Sequence, residues 1–120
     1  MRVRLTHEFR LESAHSLPGV PPDHKCRRIH GHTFGIEVHV EGQVNPESGW
    51  LADYADLDRA FRPVREALDH RLLNEVEGLE NPTSEHMARW IWRRLQPALP
   101  GLAEVVVKES PTTRCSYRGD

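Results

Sequence analysis

Between Val3 and Leu11 the chain alternates: Val3, Leu5, His7, Phe9 and Leu11 fall on one side, and Arg4, Thr6, Glu8 and Arg10 on the other. A period of two is that of a half-buried strand. The alternation returns with His32, Phe34, Ile36, Val38 and Val40 set against Glu37, His39 and Glu41, and Asn45 to Gly49 (NPESG) ends it as a turn. Between the two runs, Leu17 to Lys25 (LPGVPPDHK) carries three prolines and a glycine and reads as a loop. Two long antiparallel strands are predicted.

The period then changes. Leu57, Ala60, Phe61, Val64 and Leu68 recur at helical spacing behind Asp53 and Asp56, either of which can cap a helix start. Pro63 removes one backbone hydrogen bond in the middle of this segment and predicts a kink. A second helix is expected to begin near Thr83 or Ser84, to bury Met87, Ala88, Ile91, Trp92 and Leu95, and to stop at Pro97; Trp90 falls off that stripe. Ala103 to Glu109 (AEVVVKE) reads as a buried strand, with Cys115 to Gly119 as its short partner. The order strand, strand, helix, helix, strand, strand is an α+β pattern: a four-stranded antiparallel sheet with two helices on one face, in a single domain over residues 1–120. Two helices cannot cover both faces of the sheet, so the other face or the edges are expected to meet water or further subunits.

Composition narrows the classes. Hydrophobic residues make up 38% and charged residues 28%, with a formal net charge of -2, which excludes neither an enzyme nor a small binding domain but gives no case for nucleic acid. No apolar run approaches the roughly 20 residues needed to cross a bilayer, and Met1 to Phe9 lacks the apolar stretch of a secretory signal, so the expected compartment is the cytoplasm with no membrane partner. Two cysteines, Cys26 and Cys115, are too few for a disulfide framework and are expected to be free thiols.

The densest chemistry lies in Cys26-Arg27-Arg28-Ile29-His30-Gly31-His32, with His15 eleven residues before the cysteine. Histidines two apart on a strand share a face, so His30 and His32 can grip one cation; otherwise they are ordinary surface or core histidines. His15, at the end of the neighbouring strand, would complete a three-histidine zinc site with an open fourth position, the arrangement of catalytic zinc. Cys26 among Lys25, Arg27 and Arg28 is a candidate general base or a small buried side chain, and Cys115 fits the second role better. Asp69-His70 at the first helix end can form a proton relay, or His70 can simply face the last carbonyls. Glu109 shares a face with Val105 and Val107 and needs a partner there, or reaches solvent at the strand end. Thr83, Ser84 and Glu85 have the composition of a helix start.

Taken together, His15, CRRIHGH (26–32), LDHRLLN (68–74), NPTSE (81–85), WIW (90–92), VKE (107–109) and YRG (117–119) resemble the 6-pyruvoyl-tetrahydropterin synthase family in order and spacing over nearly the whole chain. The three residues between Cys26 and His30 resemble its bacterial 6-carboxytetrahydropterin synthase branch. The resemblance implies the tunnelling fold, with sheets of several subunits joined into a barrel, usually as a homohexamer with active sites between subunits. It implies Zn2+ on His15, His30 and His32, Cys26 as proton acceptor, Asp69 and His70 as relay, and Glu109 gripping the pterin. Thr83, Ser84 and Glu85 would line the pterin pocket. The activity implied is that of a lyase acting on 7,8-dihydroneopterin triphosphate and leading toward 7-deazaguanine compounds such as queuosine. The pyruvoyl-tetrahydropterin reaction is the nearest alternative, and a non-catalytic zinc-binding module a more distant one.

Overall fold

The two alternating runs form a long antiparallel pair, β1 (Arg2–His15) and β2 (His30–Gln43), in a computed structural model that describes residues 1–120. Helix α1 (Tyr54–Leu68) and helix α2 (Ser84–Leu95) follow, then β3 (Leu102–Ser110) and β4 (Thr113–Tyr117). The four strands pair antiparallel in the order β1-β2-β3-β4, which leaves β1 and β4 as edges. The predicted α+β architecture is the observed one.

Both helices lie on one face, α1 against β1 and α2 against β3 and β4. Burial follows the alternation: Phe9 and Leu11 from β1, Phe34, Ile36 and Val38 from β2, and Val105 and Val107 from β3 meet Leu57, Phe61, Met87, Ile91 and Leu95 in one core. Phe9 and Phe61 stack with centroids 4.0 Å apart, joining α1 to β1. The opposite face is polar. Arg4 donates to Glu104 at 2.8 Å, Lys108 lies 2.6 Å from Glu8, and His39 bridges Thr6 and Glu37. This face therefore needs no apolar cover, and the unpaired strand edges are the part of the sheet left open to association.

Three details differ from expectation. Helix α1 runs through Pro63 without interruption; the proline stands on the exposed side of the helix, where water can satisfy the carbonyl it leaves unbonded. Trp90, off the predicted stripe, is buried because the turn before α2 folds back over it: its Nε1–H donates to the Glu77 carbonyl at 3.0 Å and its ring lies against Gly78. The last strand covers Thr113–Tyr117 and starts earlier than predicted, since Ser110, Thr112 and Thr113 hydroxyls tie the preceding turn. No helix is long and apolar enough to cross a membrane.

Candidate metal centre

The β1–β2 register sets His15 directly opposite His30 and Ser13 opposite His32. Side chains on adjacent strands at paired positions point to the same face, so His15, His30 and His32 converge. Their ring centroids lie 4.6, 5.1 and 4.9 Å apart, each pair edge to face. Glu109, on the same face from β3, joins them: its Oε1 lies 2.9 Å from His32 Nε2 and 3.8 Å from His15 Nε2. One ligand atom from each of the four residues falls within 4.8 Å of the others.

Two of the three rings are oriented from behind. His15 Nδ1 donates to the Pro82 carbonyl at 2.8 Å, and His30 Nδ1 to the Arg28 carbonyl at 2.7 Å, which leaves their Nε2 lone pairs facing the cluster. Phe34 packs against His15 and His32 at 5.5 and 5.2 Å. Burial lowers the His15 pKa, the Pro82 bond opposes this in part, and His30 and His32 lower it further. His32 is lowered chiefly by burial as well, against the pull of Glu109. Neutral imidazoles are what a metal needs. His15 Nε2 and His32 Nε2 are buried without a hydrogen-bond partner, an arrangement that leaves polar nitrogens unpaired in the interior at a cost and that a divalent cation would resolve. The donor set fits such a cation.

The other site residues take separate places. Cys26 sits half-buried in a short 3-10 turn, Lys25–Arg27, its N–H donating to His24 Nδ1 and its carbonyl accepting from Leu17 N–H at 2.8 Å. That second bond closes the proline-rich loop and returns Cys26 to the neighbourhood of His15. Asp69 caps the end of α1, accepting from Glu12 N–H through Oδ1 and from His70 Nδ1 through Oδ2, both at 2.9 Å. Burial alone would raise the Asp69 carboxyl, but the Glu12 bond, His70 and Arg65 outweigh it and hold it below the ordinary carboxylate range. His70 adopts φ +57° and leaves 78% of its side chain exposed. Segment 69–72 runs along the free edge of β1, pinned by His70 N–H to the Glu12 carbonyl and Ala14 N–H to the Arg71 carbonyl. One open groove has both His32 and His70 in its wall, with Thr33 and Arg71 beside them.

Thr83 is the cap of α2, its Oγ1 accepting from His86 N–H, whereas Ser84 turns its hydroxyl to Glu109 Oε2 at 3.2 Å. Glu85 is exposed, near enough to add to the burial that raises the Cys115 thiol. Both cysteines are free.

A family model for 6-pyruvoyl tetrahydropterin synthase matches residues 4–120. The chain belongs to the 6-pyruvoyl tetrahydropterin synthase family. It is 41% identical to a Synechocystis sp. protein named 6-carboxy-5,6,7,8-tetrahydropterin synthase, over 92% of this chain and 88% of that one. It is 35% identical to the dihydroneopterin monophosphate aldolase of Pyrococcus furiosus, over 84% and 82%. The 6-pyruvoyl tetrahydropterin synthase structure of Caenorhabditis elegans superposes with a TM-score of 0.92 at 26% identity, covering 100% of this chain and 97% of that one.

Within this family member, two supporting groups have no signature in the spacing of the motifs. Asn74 accepts from Ser16 N–H and donates to the Ser16 and Glu80 carbonyls, tying the strand exit after His15 to the turn before α2. The Pro82 carbonyl that orients His15 is a backbone atom, which residue identity does not reveal. Asn74 lies in a motif the sequence singles out, but its role depends on contacts remote in the chain.

Proposed function

We propose that the chain is a zinc-dependent carbon–carbon lyase that converts 7,8-dihydroneopterin triphosphate to 6-carboxy-5,6,7,8-tetrahydropterin, acetaldehyde and triphosphate. The observation that carries this is the convergence of three histidines, two of them backed by main-chain carbonyls, in a family member 41% identical to a protein named for that product. Zinc, when bound to His15, His30 and His32, supplies a Lewis acid that makes a substrate hydroxyl easier to deprotonate near neutral pH.

The protein's own groups do the rest. Glu109 takes the amino and ring N–H donors of the pterin, with Thr83, Ser84 and Glu85 at the pocket and the Ser84 hydroxyl orienting the carboxylate. Cys26 accepts and returns protons at the side-chain carbons. Asp69 holds His70 through Nδ1, so Nε2 is the nitrogen free to exchange a proton. Tautomerisation moves two hydrogens from the C1′ carbinol to the ring N5=C6 bond, so that C1′ becomes a carbonyl as the ring becomes tetrahydropterin; elimination of triphosphate from C3′ and ketonisation of the resulting enol make C2′ a second carbonyl; addition of water to C1′ and cleavage of the C1′–C2′ bond then give the carboxylate and acetaldehyde.

The exposure of His70 on the free edge of β1 suits a relay that serves an interface, in keeping with a homohexamer whose sheets join into a barrel with active sites between subunits. A cytoplasmic role toward 7-deazaguanine compounds such as queuosine follows from the product, with no direct contact to nucleic acid.

Mass spectrometry of the products from zinc-loaded protein and 7,8-dihydroneopterin triphosphate, with a parallel acetaldehyde assay, tests the proposal. Carboxytetrahydropterin with acetaldehyde supports it. Pyruvoyl-tetrahydropterin without acetaldehyde would place the chain in the eliminating branch. The Pyrococcus relative gives a second reading its motive: aldol cleavage would instead leave a hydroxymethylpterin.

A further inference from the structure

We infer that His24 is a positioning residue for Cys26: its imidazole caps the short turn that carries the cysteine and fixes the direction from which the thiol meets the substrate. This rests on the reading of Cys26 as the proton carrier. Cys26 belongs to no strand or long helix; it is the middle residue of the 3-10 turn Lys25–Arg27, between the proline-rich loop and β2. The first N–H groups of any helical turn lack partners within it, and the Cys26 N–H is one of these. His24 supplies the acceptor. With an extended backbone (φ -70°, ψ 135°) it holds the cap position, and its Nδ1 accepts from Cys26 N–H at 3.0 Å. The ring proton then sits on Nε2.

The direction of the Cys26 side chain is set by the two peptide planes that flank it, and one hydrogen bond holds each. On the C-terminal side, the Cys26 carbonyl accepts from Leu17 N–H at 2.8 Å, two residues beyond His15. The end of the turn is also tied to the metal centre: Arg28 N–H donates to the Lys25 carbonyl at 3.1 Å, and the Arg28 carbonyl backs His30. Before the turn, the Arg27 guanidinium donates to the Val20 carbonyl at 2.7 Å and His24 N–H to the Pro21 carbonyl at 2.9 Å, which fold the loop. Of the two bonds Cys26 makes through its backbone, one goes to main chain. The other goes to a side chain, that of His24.

The cap is separable from the fold. His24 is exposed, and no residue from 16 to 33 belongs to the hydrophobic core. Removing the imidazole therefore leaves the sheet and both helices standing and loosens only the turn. The histidine ligands stand on the β1–β2 ladder, so the metal is retained as well. What changes is where the thiol spends its time, and a misplacement of about 1 Å at a reacting group costs as much as a hundredfold in rate.

The test compares zinc-loaded wild type, His24→Ala, His24→Asn and Cys26→Ala. Amide hydrogen exchange at position 26 is followed by NMR, kcat and KM are measured with 7,8-dihydroneopterin triphosphate, and zinc content is determined alongside. In His24→Ala the amide should exchange about tenfold faster and kcat should fall about tenfold, the scale of one lost cap, while KM and one zinc per chain are retained. Asparagine places a neutral oxygen acceptor at the same cap position, so His24→Asn should return both values to within about threefold of wild type. Wild-type exchange and kcat in His24→Ala would overturn the inference. So would a His24→Asn that recovers slow exchange but not kcat, because the imidazole would then act on something other than the turn. A fully active Cys26→Ala would overturn the reading of the cysteine and the inference with it, even where the exchange rates show the cap to be present.

Discussion

His15 and His30 are direct partners across the β1–β2 ladder, their ring centroids 4.6 Å apart. The metal centre is thus a consequence of strand register. A slip of one residue in an antiparallel pair sends a side chain to the opposite face, and the buried stripe running from Phe9 through Leu11 to Phe34 and Ile36 prevents that slip. The same apolar pattern that builds the core positions the ligands at its end.

Losing a ligand and losing a proton carrier should separate cleanly. His30→Ala is expected to lose both bound metal and turnover. Cys26→Ala, outside the ligand group, is expected to retain one metal per chain while turnover falls at least about a hundredfold, the lower range for general acid–base catalysis. Metal analysis alongside rate measurement checks the pair, and a fully active Cys26→Ala would remove the cysteine from the mechanism.

The metal-free protein should weaken in mild acid. His15 and His32 have pKa values lowered from 6.5 by burial, so below 6.5 the unfolded chain binds protons that the folded one refuses. Stability from these two groups is present above 6.5 and is lost as pH falls toward the lowered values. Denaturant midpoints measured from pH 7.5 down to 5 should decline in the metal-free protein, and His15→Phe should flatten the decline.

His70 occupies the left-handed region at φ +57°, which costs a side-chain-bearing residue about 1–2 kcal/mol. Glycine adopts that conformation freely. His70→Gly should therefore be more stable than His70→Ala by about 1 kcal/mol, although both lose the relay and slow turnover. Thermal unfolding of the two variants decides this, and His70→Ala matching or exceeding His70→Gly would show that the backbone there carries no strain.

Much of this architecture is legible in the chain because burial has only one face to choose. Phe34, Ile36 and Val38 announce β2, and His30 and His32 extend its inner face to the cluster. Trp90 escapes the helical stripe because the loop around Gly78 covers it, a contact between segments far enough apart that no single period records it. Pro63 breaks a local rule at an exposed position where breaking it is tolerated. At the site, the histidines are readable from spacing, whereas the proximity of Glu109 to His32 and the support from Asn74 and the Pro82 carbonyl arise only when β3 and the turn before α2 fold against the β1–β2 end.

The most direct test of the central claim is zinc titration of metal-stripped protein while following acetaldehyde release from 7,8-dihydroneopterin triphosphate. Turnover should be absent without metal, rise linearly and saturate at one zinc per chain, and fail to appear in His30→Ala at the same zinc concentrations. Acetaldehyde release by fully stripped protein, or undiminished release by His30→Ala, would contradict a lyase built on these three histidines.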